Sequence, residues 1–274
     1  MRAVAPATTF TPRGRLQGRR AVVTGGGAGI GLGIARCLAA EGARLVIADL
    51  DPQAEAVAAG LAAEFGTEVL HVDADVSRED GATAAVRACV ERWGGIDVLV
   101  NNAWAGAEVG RVENKRADQF DRSFALGFYG PFWAMQAAFP HMRDAGYGRV
   151  INLCTLNGVN ALMGTLDYNA AKEALRTLTR TAAREWAPHG IVVNALCPAA
   201  KSTGFRRMME QHPELESAAD GANPMGRIGD CEHDIGPVAV FLASDECQYL
   251  TGNTMFADGG GHINGVVWDP GFDD

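Results

Sequence analysis

Short apolar runs alternate with longer amphipathic segments from about residue 20 to residue 257, and no other feature of this chain limits its possible folds so tightly. The runs are Ala21–Thr24, Arg44–Ala48, Glu68–Val72, Ile96–Val100, Arg149–Leu153, Ile191–Leu196 and Thr254–Ala257. Between them Gly31–Glu41, Gln53–Phe65, Arg78–Arg92, Arg116–Asp144, Asp167–Ala187 and Asp234–Leu242 repeat apolar residues at helical spacing, and Pro188 and Gly190 stop one of these helices. Strand and helix in strict alternation are the signature of βαβ units. The pattern predicts an α/β fold: one doubly wound parallel sheet of about seven strands with helices on both faces. A length of 274 residues suits a single core of this kind. The expected organisation is a flexible leader over 1–15 and one catalytic domain over 16–274. Within that domain 201–227 lacks a strand signal, holds one short helix around Phe205, Met208 and Met209, and reads as a lid over the site. The tail 259–274 is glycine-rich, then aromatic and acidic.

Composition removes several function classes. A net charge of −9 opposes nucleic-acid binding, which needs an excess of Lys and Arg. No apolar run reaches the roughly 18 residues of a membrane span. The six cysteines, Cys37, Cys89, Cys154, Cys197, Cys231 and Cys247, form no metal-ligand spacing and read as small core residues in a reducing compartment, so no metal is expected. The first 20 residues carry five arginines and no acid, a faint likeness to a mitochondrial leader, but prolines interrupt them. A cytoplasmic location is expected.

The first strand runs directly into Thr24-Gly25-Gly26-Gly27-Ala28-Gly29-Ile30-Gly31, where a helix begins. Glycines at such a turn let the backbone approach a pyrophosphate, and the helix N-terminus offers free N–H groups and positive potential. The strict G-x-G-x-x-G spacing is absent, and a tight strand-to-helix turn would read the same way. The next strand ends in Asp49-Leu50, and Asp49 lies 18 residues past Gly31, near where an acid grips the adenosine ribose of a Rossmann-type site. A carboxylate there repels a 2′-phosphate, which favours NAD(H) over NADP(H). The other reading of Asp49 is that it opens a turn with Asp51 and Pro52.

Two further segments complete a pattern. Asn101-Asn102-Ala103 follows the fourth strand, and Tyr168-Asn169-Ala170-Ala171-Lys172 opens a long helix. Residues four apart share a helix face, so Lys172 can bring its ammonium near Tyr168; a neighbouring cation favours the phenolate and makes a usable general acid/base. With Thr24–Gly31, these motifs resemble the short-chain dehydrogenase/reductase family from about Leu16 to about Gly260. The resemblance implies that Tyr168 protonates a carbonyl oxygen, that Lys172 holds the nicotinamide ribose, and that Thr155, thirteen residues before Tyr168, replaces the usual serine on the substrate oxygen. It also implies cofactor contacts from Gly25, Gly27, Gly29, Ile30, Gly31, Asp49, Leu50, Asp75, Val76, Asn102, Ala103, Pro198, Lys201 and Thr203, places Asn194 ahead of the last cofactor loop, and implies a homotetramer or homodimer. Trp104, Leu156, Asn157, Leu162 and Phe205, with Asn160, would finish the substrate pocket.

The chain departs from that family where the nicotinamide is expected. Gly127 stands where the family has an asparagine that props a helix kink and a relay water, and Trp104 replaces the glycine after Asn-Asn-Ala. The indole is expected to pack in the core first, and otherwise to narrow the groove or wall the substrate. Ala199 replaces a glycine, and Lys201 an apolar residue; with Arg206 and Arg207 it could attract an anionic substrate. The expected function is an NAD(H)-dependent oxidoreductase interconverting a secondary alcohol and a ketone. The alternatives are non-redox acid/base chemistry on the same fold, or a catalytically impaired nucleotide-binding homologue.

Overall fold

A computed structural model describes residues 9–106 and 108–263. Seven strands form one parallel sheet in the order β3-β2-β1-β4-β5-β6-β7. They are β1 (Arg20–Thr24), β2 (Arg44–Ala48), β3 (Val69–Val72), β4 (Val98–Asn101), β5 (Gly148–Leu153), β6 (Ile191–Pro198) and β7 (Thr254–Ala257). The helices are α1 (Gly29–Ala40), α2 (Gln53–Phe65), α3 (Glu79–Trp93), α4 (Ala117–Phe124), α5 (Gly130–Ala145), α6 (Leu156–Val159), α7 (Leu166–Trp186), α8 (Thr203–Gln211), α9 (Glu214–Ala222) and α10 (Gly236–Ala243). All seven expected strands are present and only their ends move.

Side-chain alternation along the strands explains why both faces are covered. Ala21, Val23, Leu45, Ile47, Val98, Val100 and Ile151 point into a core shared with α1, α2 and α10. Val22, Val46, Leu99, Val150 and Val193 point the other way, into a second core with Val86 and Cys89 of α3, Met135 and Met142 of α5 and Ala182 of α7. Because β1 lies between β2 and β4, the chain winds outward in opposite directions from the β1/β4 pair. That reversal opens a crevice at the carboxyl ends of these two strands, the place where open α/β sheets bind ligands.

Three expectations need correction. The single helix expected over Arg116–Asp144 is two helices, α4 and α5, joined by a π turn at Ala125–Tyr129. A Cβ on Gly130 would stand 2.3 Å from the Val76 carbonyl oxygen, so α5 begins where the helix presses closest to the chain after β3. The segment 201–227, expected as a lid with one short helix, holds two helices, α8 and α9, with Pro213 between them. The leader is not free throughout. Phe10 packs against the core, and the backbone N–H groups of Arg13 and Arg15 donate to the fully buried Glu41 carboxylate at 3.1 and 2.7 Å. Residues 1–8 of that leader and 264–274 of the tail lie outside the described residues.

Candidate active site

The glycine turn closes the mouth of the crevice. Gly25 and Gly29 take φ of +65° and +53°, a left-handed conformation that a side chain resists. A Cβ on Gly31 would lie 2.0 Å from the Gly25 carbonyl oxygen, so the first turn of α1 can press against the strand end only with a glycine there. Ala28 provides no side-chain cap for α1, and its first turn carries no acid. The amino end of this 12-residue helix therefore has neither a capping side chain nor an acid in its own first turn. This fits an anionic pyrophosphate.

Asp49 meets the same turn from β2. Its Oδ2 accepts the Gly27 N–H at 2.8 Å, and its Oδ1 accepts the Asp51 N–H at 3.1 Å. Both readings of this residue are thus realised: it opens a turn and it also faces the glycine loop. A carboxylate has about four acceptor positions, which leaves capacity for two sugar hydroxyls. Leu50 is exposed beside it.

Asn102 and Ala103 hold the opposite side. Their N–H groups donate to Thr24 Oγ1 at 3.0 and 3.1 Å, and Asn102 Nδ2 donates to the carbonyls of Thr24 and Gly25 at 2.9 and 3.0 Å. Asn102 therefore clamps the glycine turn onto β4. Asp75 turns inward on its own loop, its Oδ1 accepting the Ser77 hydroxyl at 2.6 Å, while Val76 is buried. Pro198 ends β6, and Asn194 props the approach to β7 by donating to the Leu250 carbonyl at 2.6 Å. Thr203, at the start of α8, reaches the loop: a Cβ on Gly29 would stand 2.9 Å from its Oγ1. Lys201 goes elsewhere. Its ammonium pairs with Glu216 at 2.8 Å and Asp220 at 3.8 Å inside the lid, so it does not join Arg206 and Arg207 as a free cationic patch.

Thr155 and Tyr168 come together between β5 and α7. The buried Thr155 caps α6 by accepting the Asn157 N–H at 3.1 Å, which leaves its own hydrogen for the Tyr168 oxygen. Burial pushes the Tyr168 phenol up to about 12, and the Thr155 hydrogen bond pulls it back only in part. Lys172 does not supply the acidifying cation expected beside the phenol. Its buried ammonium donates to the Leu153 carbonyl at 2.8 Å, and burial draws its own pKa down, the charged form being poorly solvated there. Leu156 and Asn157 flank Thr155 on the short helix, and Leu162 is exposed on the loop that follows, as is Val109 on the facing loop. Asn160 belongs to the same stretch, and Phe205 is half-buried on α8.

Trp104 leans on this pair. Its ring centroid is 4.5 Å from that of Tyr168 at an interplanar angle of 54°, and Lys172 Nζ stands 5.4 Å from the centroid of an indole ring. The indole faces the catalytic candidates instead of retiring into the main core.

Two polar networks lie beside the site, and of their members only Asn101 belongs to a motif read from the sequence. Lys115 Nζ and Asp167 Oδ1 form an ion pair at 2.6 Å with both side chains about 2% exposed, and Ser123 donates to the other Asp167 oxygen at 2.7 Å. This ties the loop before α4, and α4 itself, to the first turn of the helix that carries Tyr168. Behind it, Asn101 donates to Asn152 at 2.8 Å and Asn152 to Thr179 at 2.9 Å, pinning β4, β5 and α7 in register. Their only signal is polarity inside runs that are otherwise apolar.

With this geometry in view, the likeness to known proteins is specific. Residues 25–262 match the family described as Enoyl-(Acyl carrier protein) reductase. The chain is 37% identical over 259 residues to a 12alpha-hydroxysteroid dehydrogenase of a Clostridium species, covering 90% of this chain and 98% of that protein. It is 36% identical over 252 residues to the trans-4-hydroxycyclohexanecarboxylate dehydrogenase of Sinomonas cyclohexanicum, covering 90% and 93%. Among solved structures, levodione reductase superposes with a TM-score of 0.86 at 33% identity, covering 90% of this chain and 99% of that one.

Proposed function

Because the chain belongs to the short-chain dehydrogenase/reductase family, whose relatives named above are dehydrogenases and reductases, we propose that it is an NAD(H)-dependent oxidoreductase interconverting a secondary alcohol and a ketone. The observation that carries the reading is the meeting of Thr155 with Tyr168 at the carboxyl end of β5, beside a glycine cradle that fits a dinucleotide.

Gly25, Gly27, Gly29 and Gly31 would hold the pyrophosphate against the α1 terminus, Asp49 the adenosine ribose, and Asn102 the shape of the turn. Asp49 next to Gly27 supports NAD(H), since a 2′-phosphate would meet its charge at close range. The bound nicotinamide supplies the hydride acceptor or donor. The protein's part is to hold the reacting oxygen and move one proton. Thr155 accepts from the Asn157 backbone, so its hydrogen points toward the reacting side. Tyr168 keeps its proton at neutral pH, the state required to protonate a carbonyl oxygen during reduction; for oxidation it would first have to lose that proton, so that the phenolate can receive the one leaving the alcohol. The buried Lys172 would hold the nicotinamide ribose, the role that the resemblance implies for it.

The exposed Val109, Leu162 and Met163 rim this mouth, and the Gly110 N–H bonded to the Gly164 carbonyl at 3.0 Å brings their loops together. An apolar ring alcohol or ketone suits such a rim, in keeping with the ring alcohols named for two relatives. A homotetrameric or homodimeric state and a cytoplasmic location accompany the proposal; light scattering on purified protein tests the former.

The deciding assay mixes the protein with NAD⁺ or NADH and a panel of cyclic, aromatic and acyl-chain alcohols or ketones while nicotinamide absorbance is followed. Turnover that falls about 10²–10⁴-fold in Tyr168→Phe is expected. Cofactor binding without any redox change across the panel would favour non-redox acid/base chemistry instead.

A further inference from the structure

Trp104, Gly127, Tyr168 and Lys172 come from three segments: the loop after β4, the π turn and α7. Their contacts form a closed set. The indole touches Tyr168 at 4.5 Å between centroids and lies under the Lys172 ammonium at 5.4 Å. A Cβ added to Gly127 would stand 3.0 Å from Trp104 Cζ3 and 3.1 Å from the Ala171 methyl. Both distances are tighter than ordinary carbon contact, and neither neighbour is a flexible chain end. A side chain at 127 therefore crowds the indole as placed at 104, which has to give by a few tenths of an ångström to admit it.

We propose that Trp104 is the positioning residue of the Tyr168/Lys172 pair and that Gly127 is the space it requires, so that the two positions act as one coupled device. This rests on the reading of Tyr168 as the acid/base group. The physics is that of a rigid wall. An indole has few rotamers to lose, offers a large flat face to the phenol, and presents the negative face of its π system to the ammonium. Lys172 is held from two sides, by the Leu153 carbonyl and by the ring. Tyr168 is likewise fixed, by the Thr155 hydroxyl at its tip and the indole along its side. A small residue at 104 would leave the phenol its tip contact alone and admit water beside the ammonium. Misplacement of a reacting group by about 1 Å costs on the order of 10²-fold in rate.

The test uses the full chain and the variants Trp104→Ala, Trp104→Phe and Gly127→Ala, together with a double variant that combines Trp104→Ala and Gly127→Ala. Melting temperature and near-ultraviolet circular dichroism need no activity. Gly127→Ala is expected to lower the melting temperature by about 5 °C in the parent, by overpacking against the indole. On the Trp104→Ala background that cost should be clearly smaller, since only the Ala171 methyl then crowds the added carbon and alanine favours a helix over glycine. The near-ultraviolet band removed by Trp104→Phe should overlap the one removed by Tyr168→Phe, reporting the paired rings.

In turnover, Trp104→Ala should lower kcat by about 10- to 100-fold with the cofactor KM within about two-fold, and Trp104→Phe should recover most of kcat. Additive melting shifts, or unrelated dichroism bands, would overturn the proposal. So would a loss confined to cofactor KM. If the parent turns over nothing on the panel, the proposed function fails, while the melting and dichroism results still decide the coupling.

Discussion

The Thr155 hydroxyl faces two elements at once, accepting the Asn157 N–H at 3.1 Å and lying near enough to Tyr168 to oppose the rise that burial imposes on the phenol. Thr155→Val keeps the shape and removes the hydroxyl. It is expected to lower kcat by about 10²–10³-fold, as loss of a donor to a developing oxyanion does, and to cost about 1 kcal/mol through the lost helix cap. Thr155→Ser should restore both. Steady-state kinetics with a melting curve separates the two effects, and a serine variant as slow as the valine would refute the role.

Asp49 carries the cofactor preference. Asp49→Ala should weaken NAD⁺ by about ten-fold or more while changing NADP⁺ little or strengthening it, since the charge that opposes a 2′-phosphate is gone. Calorimetric titration of both nucleotides measures this. Equal weakening of the two would mean that Asp49 only shapes the glycine turn through its bond to the Gly27 N–H.

The buried Lys115/Asp167 pair predicts a stability effect and an acid limb. Asp167→Asn leaves Lys115 buried opposite a neutral group, a change worth about 3–5 kcal/mol, or roughly 10 °C in melting temperature for a chain of this size. Lys115→Met with Asp167→Leu should recover much of that. Burial would raise the Asp167 carboxyl, but the Lys115 and Ser123 hydrogen bonds outweigh it and hold the group below its ordinary 3.8. Its stabilisation is therefore complete above that value and is lost as pH falls through the lower folded value. The fall in melting temperature below about pH 4 should be shallower in Asp167→Asn than in the parent.

Glu41 predicts that the chain ahead of β1 contributes to stability. Its buried carboxylate takes two backbone N–H groups and the Arg15 guanidinium, which together hold it below the usual carboxylate range against the opposing effect of burial. Removing residues 1–15 leaves that charge unpaired and should lower the melting temperature by several degrees, whereas removing 1–8 spares every one of these bonds. Glu41→Gln should harm the parent yet help the shortened chain. A truncation to residue 15 that melts like the parent would refute the anchoring role.

These sites differ in how much of them could be read from the residue string, and the differences have physical causes. The seven strands were legible because a sheet covered on both faces demands unbroken apolar runs. Glycines at 25, 29 and 31 were legible because positive φ and close approach admit little else there. The division of Arg116–Asp144 was not, since Gly127 and Gly130 yield to tertiary contacts with Trp104 and Val76 that no local pattern records. Lys115, Asp167 and Ser123 were overlooked for the same reason: partners 44 and 52 residues apart look solvated until the fold brings them together. Trp104 shows the reverse case, a visible departure whose meaning needed its neighbours. The bond from Lys172 to the Leu153 carbonyl could not be read from spacing, because helical spacing fixes a shared face but not which carbonyl the side chain will find.

The seating of Thr203 against Gly29 has a mechanical consequence. The first turn of α8 rests on the same glycine whose backbone opens α1, so the cap of the cleft and the floor of the phosphate cradle are in direct contact. A dinucleotide held in that cradle is therefore expected to touch the first turn of α8. A covalent staple between α8 and α1 is then expected to slow nucleotide exchange more than the chemical step, and an initial burst followed by slow turnover would show it.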